Sequence, residues 1–227
     1  TREHARINAG AICARGQKRV VVAYDTQNAA YTLDWLAQFR TAAASLCGAP
    51  VAAEPFASGD EASYAAAIEK LGAGNPDVLH FVANASDTVR LVQLARSAGM
   101  TQEVSAATWA ATEQLIELGG RNVEGLRTTQ FFDRTDTTPK FQAFRASYAL
   151  RFGQEPGFAS VAAYDAAPVL LQARQPQTAG EALNATLLRV RRFNGLQDPI
   201  VFDAYGDHLR PLVMTEIRNG RFSTVRA

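Results

Sequence analysis

Residues 18–31 read KRVVVAYDTQNAAY and form the first unit of an α/β pattern. The run 20–24, VVVAY, is apolar without alternation, which is typical of a strand covered on both faces. A polar loop follows, and an amphipathic stretch with apolar residues at helical spacing begins at about Tyr31. The order strand, loop, helix predicts one βα unit of a parallel sheet.

The same unit occurs four times between Lys18 and Phe132. Further strands are predicted over 50–56, 77–83 and 104–107, each followed by a helix, and a helix over 1–14 precedes the first unit. A fifth strand over 125–132 takes the chain out of this sheet. We therefore expect an α/β protein with a parallel, doubly wound sheet flanked by helices.

Sheets of this kind bind ligands in the loops beyond the carboxyl ends of their strands. Here those loops are residues 24–31, 83–87 and 106–109, which read YDTQNAAY, ANASD and AATW. They resemble the wall of a pocket and contain no recognisable reaction machinery. Function is therefore expected in these loops, as binding.

The chain changes character after a polar linker at 133–138. Helices are predicted from Pro139, over about 160–172 and over about 180–191, with short strands near 199–202 and 211–217. Because proline lacks the backbone donor, we expect Pro168 to kink the second of these helices or end it early. These helices outnumber the strands available to cover them.

Composition excludes several classes of partner. Hydrophobic residues make up 47%, charged residues 20%, and the net charge is +1, so there is no electrostatic footprint for nucleic acid or an anionic membrane. The densest basic patch, Arg189, Arg191 and Arg192, is interpreted as a solvated helix end. No apolar run approaches the roughly 20 residues of a membrane span, and no signal segment opens the chain.

The two cysteines, Cys13 and Cys47, form no C-x-x-C pair and do not lie beside a histidine, which argues against zinc. They either form one disulfide in an oxidising compartment or are small buried residues near helix ends. His80 lies on an apolar strand and is interpreted as a core residue. No nucleophile elbow, phosphate loop or metalloprotease motif occurs, so we expect a protein that is not an enzyme, with no cofactor and no metal.

Three segments carry a resemblance to a known family. They are KRVVVAYD at 18–25 with Tyr31 after it, FRASYALRFGQEPGFASVAAYD at 144–165, and FDAYGDHLRPLVMTEIRNGRF at 202–222. Together they resemble the type I periplasmic binding proteins, and most of all the branched-chain amino-acid receptors of ABC importers. That family has two lobes, and a ligand closes the cleft between them.

The resemblance implies a domain organisation. Residues 1–131 and 213–227 resemble the second, C-terminal-type ligand-binding lobe, and 132–212 resemble the helical return to an incomplete first lobe. The usual first stretch, with the first lobe's own strands, has no counterpart here, which explains the surplus helices. We therefore expect a fragment or processed form of a longer receptor; an intact mass of the native protein equal to 24.5 kDa would count against this.

The resemblance also implies a ligand site in the three loops. Its residues are Tyr31, Ala30, Asn84, Ala85, Ser86, Thr108 and Trp109. Tyr31 matches the position of a cleft tyrosine at a helix start, where the alternative is helix-start packing. The 84–86 loop either faces ligand or is a helix cap made by Ser86 or Asp87. Trp109 is either a cleft wall or a core residue.

Thr108 departs from the family's pattern. Amino-acid-binding relatives place an acid there, which pairs with the ligand's ammonium because a buried positive charge requires a partner. Without that carboxylate, a ligand that lacks the ammonium, such as an aromatic or aliphatic carboxylate, is favoured. Asp87 or Asp25 could substitute from a neighbouring loop.

The resemblance implies a periplasmic solute-binding protein, secreted with a leader that this chain does not contain. Its expected ligand is a small organic solute, an amino acid or a carboxylate, bound by closure of the cleft. Its expected partners are the membrane subunits of an ABC permease, with no nucleic acid and no membrane span in this chain. The alternative function is the ligand-sensing domain of a signalling receptor on the same fold.

Overall fold

The computed structural model describes residues 1–225, apart from the side chain of Leu209. They form two compact units. Unit 1 comprises residues 1–130 and the described residues from Met214 onward, and unit 2 comprises Phe131–Val213. Residues 226 and 227, which the expected second lobe includes, lie outside the described part of the chain.

The elements are numbered in chain order. The helices are α1 (Arg2–Ala14), α2 (Ala29–Cys47), α3 (Glu61–Ala73), α4 (Ala85–Ser97), α5 (Glu113–Gly119), α6 (Pro139–Phe152), α7 (Phe158–Arg174) and α8 (Leu183–Val190). The strands are β1 (Val20–Asp25), β2 (Val51–Phe56), β3 (Val78–Val82), β4 (Glu103–Ala106), β5 (Arg127–Gln130), β6 (Arg192–Phe193), β7 (Ile200–Phe202), β8 (His208–Leu209), β9 (Val213–Arg218) and β10 (Arg221–Val225). Two short 3-10 helices cover Thr108–Ala110 and Gly120–Val123.

Unit 1 is built on a seven-stranded sheet in the order β10-β9-β5-β4-β3-β1-β2. Strands β1 to β5 are parallel, and β9 and β10 form an antiparallel hairpin at the β5 edge. The left-handed residues Asn219 and Gly220 make its turn. The parallel sheet with helices between its strands confirms the predicted α/β class, whereas strand β10 was not predicted.

Both faces of this sheet are covered, which explains the largely apolar sequences of β1 and β3. Side chains alternate between the faces of a strand. Val20 and Val22 of β1 therefore join the core under α1 and α2, whereas Val21 and Ala23 join the core under α3, α4 and α5.

His80 lies inside the first of these cores, as predicted. Its ring is fully buried and stacks on Trp35 and Phe39, with centroids 4.4 and 4.9 Å away. Its Nδ1 lies 2.7 Å from the Ser105 hydroxyl. Burial lowers the pKa of His80 to about 3, so the ring is neutral at pH 7.

Cys13 and Cys47 form a disulfide, which settles the alternative that their spacing left open. Their Cα atoms are 5.7 Å apart, within the usual range for a disulfide. The bond joins the last turns of α1 and α2, two helices on the same face of the sheet. A covalent link of this kind persists in an oxidising compartment.

Unit 2 contains α6, α7, α8 and a three-stranded antiparallel sheet in the order β6-β7-β8. Pro168 was expected to kink its helix or end it early, and the second alternative is wrong, because α7 continues to Arg174. Buried residues on both sides of the proline, including Val161, Val169 and Ala173, hold the helix to its neighbours. Tertiary packing here outweighs the hydrogen bond that proline cannot make.

Candidate functional site

The candidate site lies at the carboxyl edge of the parallel sheet in unit 1. From β1 the chain runs to β2 on one side and then returns to β3 on the other, so the order of connection reverses between β1 and β3. Ligands of open α/β sheets bind outside the carboxyl ends of the strands at such a reversal. Tyr24 pairs with Val82, and Phe81 pairs with Ala106, so β1, β3 and β4 end nearly level. Their following loops therefore begin side by side.

Two aromatic residues from separate loops meet at this edge. Tyr31, in the first turn of α2, makes an edge contact with Trp109, with ring centroids 5.6 Å apart and planes at 79°. Both side chains are half-buried. The pair gives the edge an apolar wall assembled from the β1 and β4 loops.

The Tyr31 hydroxyl is buried and has no hydrogen-bond partner among the described residues. Burial raises the pKa of Tyr31 to about 12, so the hydroxyl keeps its proton at any physiological pH. An unpaired buried hydroxyl is costly, and such groups are rare in native proteins. The hydroxyl therefore keeps its donor and its acceptor lone pairs for any group that reaches it.

The β3 loop is shaped by a helix cap. The side-chain oxygen of Asn84 accepts a hydrogen bond from the Asp87 N–H at 2.9 Å and so caps α4. The alternative prediction, a cap made by Ser86 or Asp87, is wrong, because Asn84 precedes the first turn and has the extended backbone that a cap requires. The Ala85 side chain is buried in the core, so only its backbone can face a ligand.

The backbone N–H groups of the first turns of α2 and α4 open at this edge. The first N–H groups of a helix have no partner within the helix and carry the positive end of its dipole. Ala30 and Ser86, which belong to these turns, are exposed. Helix N-termini in general favour a negatively charged group nearby.

The two carboxylates that could replace the missing acid are already engaged. Oδ1 of Asp25 accepts hydrogen bonds from the backbone N–H groups of Gln27 and Ser58, at 2.9 and 3.3 Å. Both oxygens of Asp87 accept side-chain hydrogen bonds, and both aspartates are at most 5% exposed. Thr108, half-buried at the start of its 3-10 turn, offers a hydroxyl where relatives were expected to offer an acid.

One residue of this edge was missed by sequence analysis. The Tyr64 hydroxyl donates to Asp87 at 2.7 Å and accepts from the Gly59 N–H at 2.6 Å. Tyr64 also belongs to the buried face of α3, together with Ile68 and Leu71. No pattern in the sequence distinguishes a core tyrosine from one whose hydroxyl joins two loops.

Among residues 1–225, no group of three or more His, Cys, Asp and Glu side chains is placed to hold a metal ion. No helix in the same range combines the length and apolar character that a membrane span needs.

Comparison with known proteins identifies the family. The family model described as periplasmic binding protein matches residues 4–221. The chain therefore belongs to the periplasmic binding protein family, and its fold is that of the type I members. Comparison with curated protein sequences gives no significant match.

Solved structures of solute-binding proteins share this fold. The leucine binding protein LivK from Thermotoga maritima is 28% identical, with a TM-score of 0.89, and the match covers 99% of this chain and 65% of that one. LivJ, a branched-chain amino acid transporter substrate binding protein from Streptococcus pneumoniae solved with isoleucine, is 20% identical, with a TM-score of 0.84 and coverage of 98% and 64%.

A third similar structure contains a different kind of ligand. The solute binding protein of an ABC transporter from R. palustris, solved with benzoate, is 16% identical, with a TM-score of 0.85, and the match covers 99% of this chain and 62% of that one. At this identity the likeness shows the fold alone, as it does for LivJ. The chain spans between 62% and 65% of the length of these three structures.

Proposed function

We propose that this chain is the ligand-binding part of an extracytoplasmic solute-binding protein that delivers a small organic solute to an ABC importer. The observation that carries the proposal is the unpaired Tyr31 hydroxyl beside Trp109 at the reversal point of the sheet. Membership of the periplasmic binding protein family supports it. Asn84, Ser86 and Thr108, from the two other loops, complete the proposed site with Ala30 and the backbone of Ala85.

The chemistry of this edge favours a carboxylate as the ligand's charged group. Two helix N-termini supply backbone N–H donors, and the Tyr31 hydroxyl supplies another. A ligand's ammonium group has no free carboxylate to pair with at this edge. Asp25 and Asp87 already accept hydrogen bonds within the protein, and Thr108 is neutral. Burying an ammonium without a partner is costly. We therefore favour an aromatic or aliphatic carboxylate over an α-amino acid.

Unit 1 is proposed to be one lobe of the binding protein and unit 2 part of the other. Support comes from α7, whose exposed face is apolar and whose buried face is apolar except for Asp165. The exposed residues between 163 and 171 are Ala163, Tyr164, Ala166, Ala167, Leu170 and Leu171. A helix that is apolar all round is normally buried in the complete protein. In the full-length protein this face is proposed to be covered by the remainder of that lobe.

The location proposed for the protein is the periplasm, with the membrane subunits of a permease as partner. The Cys13–Cys47 disulfide supports an oxidising compartment. Ligand binding is proposed to close the two lobes on the solute.

The test is calorimetric titration of the full-length protein with matched ligand pairs. Leucine and 4-methylpentanoate share a skeleton but differ in the ammonium, as do phenylalanine and 3-phenylpropanoate, and benzoate is a fifth probe. We expect the ammonium-free member of a pair to bind at least tenfold more tightly, since a buried unpaired charge costs more than 1.4 kcal/mol. Tighter binding of the amino acids would overturn the preference for carboxylates. No binding by any probe would count against the proposed site.

A further inference from the structure

The loops at the carboxyl edge of unit 1 are joined by a buried hydrogen-bonded chain that passes through one side chain. Oη of Tyr64 accepts from the backbone N–H of Gly59, in the β2–α3 loop, and donates to Oδ1 of Asp87, in the first turn of α4. The other carboxylate oxygen of Asp87 accepts from the Asn84 amide at 2.8 Å. Tyr64 and Asp87 are 4% and 5% exposed.

The chain continues toward the β1 loop. Ser58, which precedes Gly59, donates its backbone N–H to Asp25 and accepts at its carbonyl from the Gln27 side chain at 2.8 Å. The loops after β1, β2 and β3 are thus tied in series. The middle link is the Tyr64 hydroxyl, which reaches two loops at once.

We propose that Asp87 and Tyr64 are positioning residues that couple the β2–α3 loop to the first turn of α4 and thereby hold Asn84 in its capping orientation. The consequence for binding rests on the proposed function: Asp87 acts on the ligand through Asn84 and the adjacent backbone, and does not pair with the ligand's ammonium. A carboxylate that accepts from a tyrosine and an amide is fixed in orientation, because hydrogen bonds to a charged group are the strong ones.

The geometry explains why a charged residue is used at a buried position. Asp87 has two oxygens, so it can accept from Tyr64 and Asn84 together, whereas an amide in its place has only one oxygen to accept with. The Asn84 amide group is held by this bond with its oxygen toward the Asp87 N–H. Losing the charge at 87 is therefore expected to release Asn84 as well as Tyr64.

The first experiment needs no ligand. Backbone amide exchange is measured by NMR on the full-length wild-type protein, on Asp87→Asn and on Tyr64→Phe. We expect D87N to speed exchange at Gly59, and Y64F to speed exchange at Asp87, each by about tenfold relative to amides in the α1–α2 core. In each case the faster exchange is expected on the other side of the Tyr64–Asp87 hydrogen bond from the substituted residue. Unchanged exchange at the opposite loop in both variants would overturn the proposal.

A matched control separates coupling from general loosening. Ser63 lies beside Tyr64 in α3, and its hydroxyl accepts from the Ala57 N–H at 2.9 Å, within the same loop but apart from Asp87. Ser63→Ala is expected to speed exchange at Ala57 while leaving Asp87 unchanged. If S63A changes exchange at Asp87 as much as Y64F does, the effect is not carried by the tyrosine hydroxyl and the proposal fails.

The second experiment distinguishes positioning from direct contact with ligand. D87N and Y64F are titrated with the matched pairs described above. Positioning predicts that D87N weakens leucine and 4-methylpentanoate by the same factor, about tenfold, and that the double variant is weaker than the worse single variant by less than about threefold. Loss confined to leucine would make Asp87 an ammonium partner and contradict the proposal.

The two experiments test the proposed function and the positioning role independently. If wild-type protein binds no probe, the proposed function loses its support, while the exchange measurement still decides whether Tyr64 and Asp87 couple the loops. If the probes bind but exchange shows no coupling, the proposed function stands and the positioning role is excluded.

Discussion

Tyr31 and Tyr64 both bring a buried hydroxyl to the same edge of the sheet, but their surroundings differ. The Tyr64 hydroxyl makes two hydrogen bonds inside the protein, whereas the Tyr31 hydroxyl makes none to the described residues. Removing a satisfied hydroxyl leaves its former partners unpaired, while removing an unsatisfied one relieves a cost. The two tyrosines are therefore a matched pair for separating binding from stability.

For Tyr31→Phe we expect ligand affinity to fall about tenfold while the free energy of unfolding stays the same or rises by up to about 1 kcal/mol. Affinity is measured by calorimetry with the tightest-binding probe, and stability by urea unfolding without ligand. Tyr64→Phe is the control and should lose about 1 to 2 kcal/mol of stability. A Tyr31→Phe variant that is destabilised as much as Tyr64→Phe would mean that the Tyr31 hydroxyl has a structural partner.

His80 gives a prediction for acid stability. Its pKa is lowered to about 3 in the folded protein and is near 6.5 when unfolded, so the unfolded chain binds the proton first. The neutral, buried ring therefore contributes fully to the free energy of unfolding above pH 6.5, and this contribution is lost as the pH falls toward 3. Between pH 7 and 4.5 this amounts to about 2 to 3 kcal/mol. His4, with a pKa lowered to about 4, acts in the same direction.

The check is urea unfolding of wild-type protein and His80→Gln at both pH values. The variant is expected to be less stable at pH 7 because it disturbs the stack with Trp35 and Phe39, but its loss on acidification should be smaller by about 2 to 3 kcal/mol. Equal losses on acidification in the two proteins would show that His80 is not buried in its neutral form.

For single residues, the sequence predicts whether a side chain is buried better than it predicts the partners of its hydrogen bonds. The apolar neighbours of His80 on β3 predict its burial, and this is confirmed. The bond from Tyr64 to Asp87 spans 23 residues, and nothing local to either residue encodes it. The capping role of Asn84 was missed for a smaller reason, because Ser86 and Asp87 are equally acceptable cap residues by type.

Helices α1 and α2 are the elements joined by the disulfide. The two cysteines are 34 residues apart, and closing a loop of this length in the unfolded chain corresponds to about 3 to 4 kcal/mol of stability in the chain-entropy model. The sequence left this pairing open, since it depends on the two helix ends meeting on one face of the sheet.

Replacing both cysteines by serine is expected to lower the free energy of unfolding by about 3 to 4 kcal/mol. The measurement is urea unfolding of the double variant with and without reductant, beside wild-type protein under the same conditions. Reductant should lower the stability of wild type toward that of the variant and leave the variant unchanged. If reductant does not change wild-type stability, the bond does not form in the protein as isolated.

The ends of helices and strands can be predicted where the local sequence pattern is strong. The helix ending at Cys47 stops at Gly48, whose left-handed backbone (φ 64°) is one that glycine adopts without strain. Strands β1 and β3 were found because burial on both faces leaves an unbroken apolar run. Strand β10, with the half-polar sequence RFSTV, has no such run and is specified by pairing with β9. Pro168 shows the opposite case. Proline locally favours the end of a helix, but packing keeps α7 helical as far as Arg174.

The proposed division into two lobes concerns the whole molecule, and the exposed apolar face of α7 allows it to be tested. If the exposed apolar face of α7 is covered in the full-length protein, Leu171→Ser should cost at least about 2 kcal/mol, although this side chain is 67% exposed here. Leu33→Ser, at a leucine of α2 that is 50% exposed, is the control and should change stability by less than about 0.5 kcal/mol. Thermal or urea unfolding of the full-length protein measures both. Similar small effects at the two leucines would contradict the proposed division.

The most direct test of the proposed binding site is residue-resolved mapping of ligand binding. The full-length protein, labelled with nitrogen-15, is titrated with the tightest-binding probe while its backbone amide signals are followed. If the ligand binds at the carboxyl edge of the sheet, the largest changes within unit 1 fall at Gln27–Tyr31, Asn84–Asp87 and Thr108–Trp109. Changes in unit 1 that fall instead at the opposite edge of the sheet, around Arg15, Glu103 and Arg127, would contradict the proposed binding site.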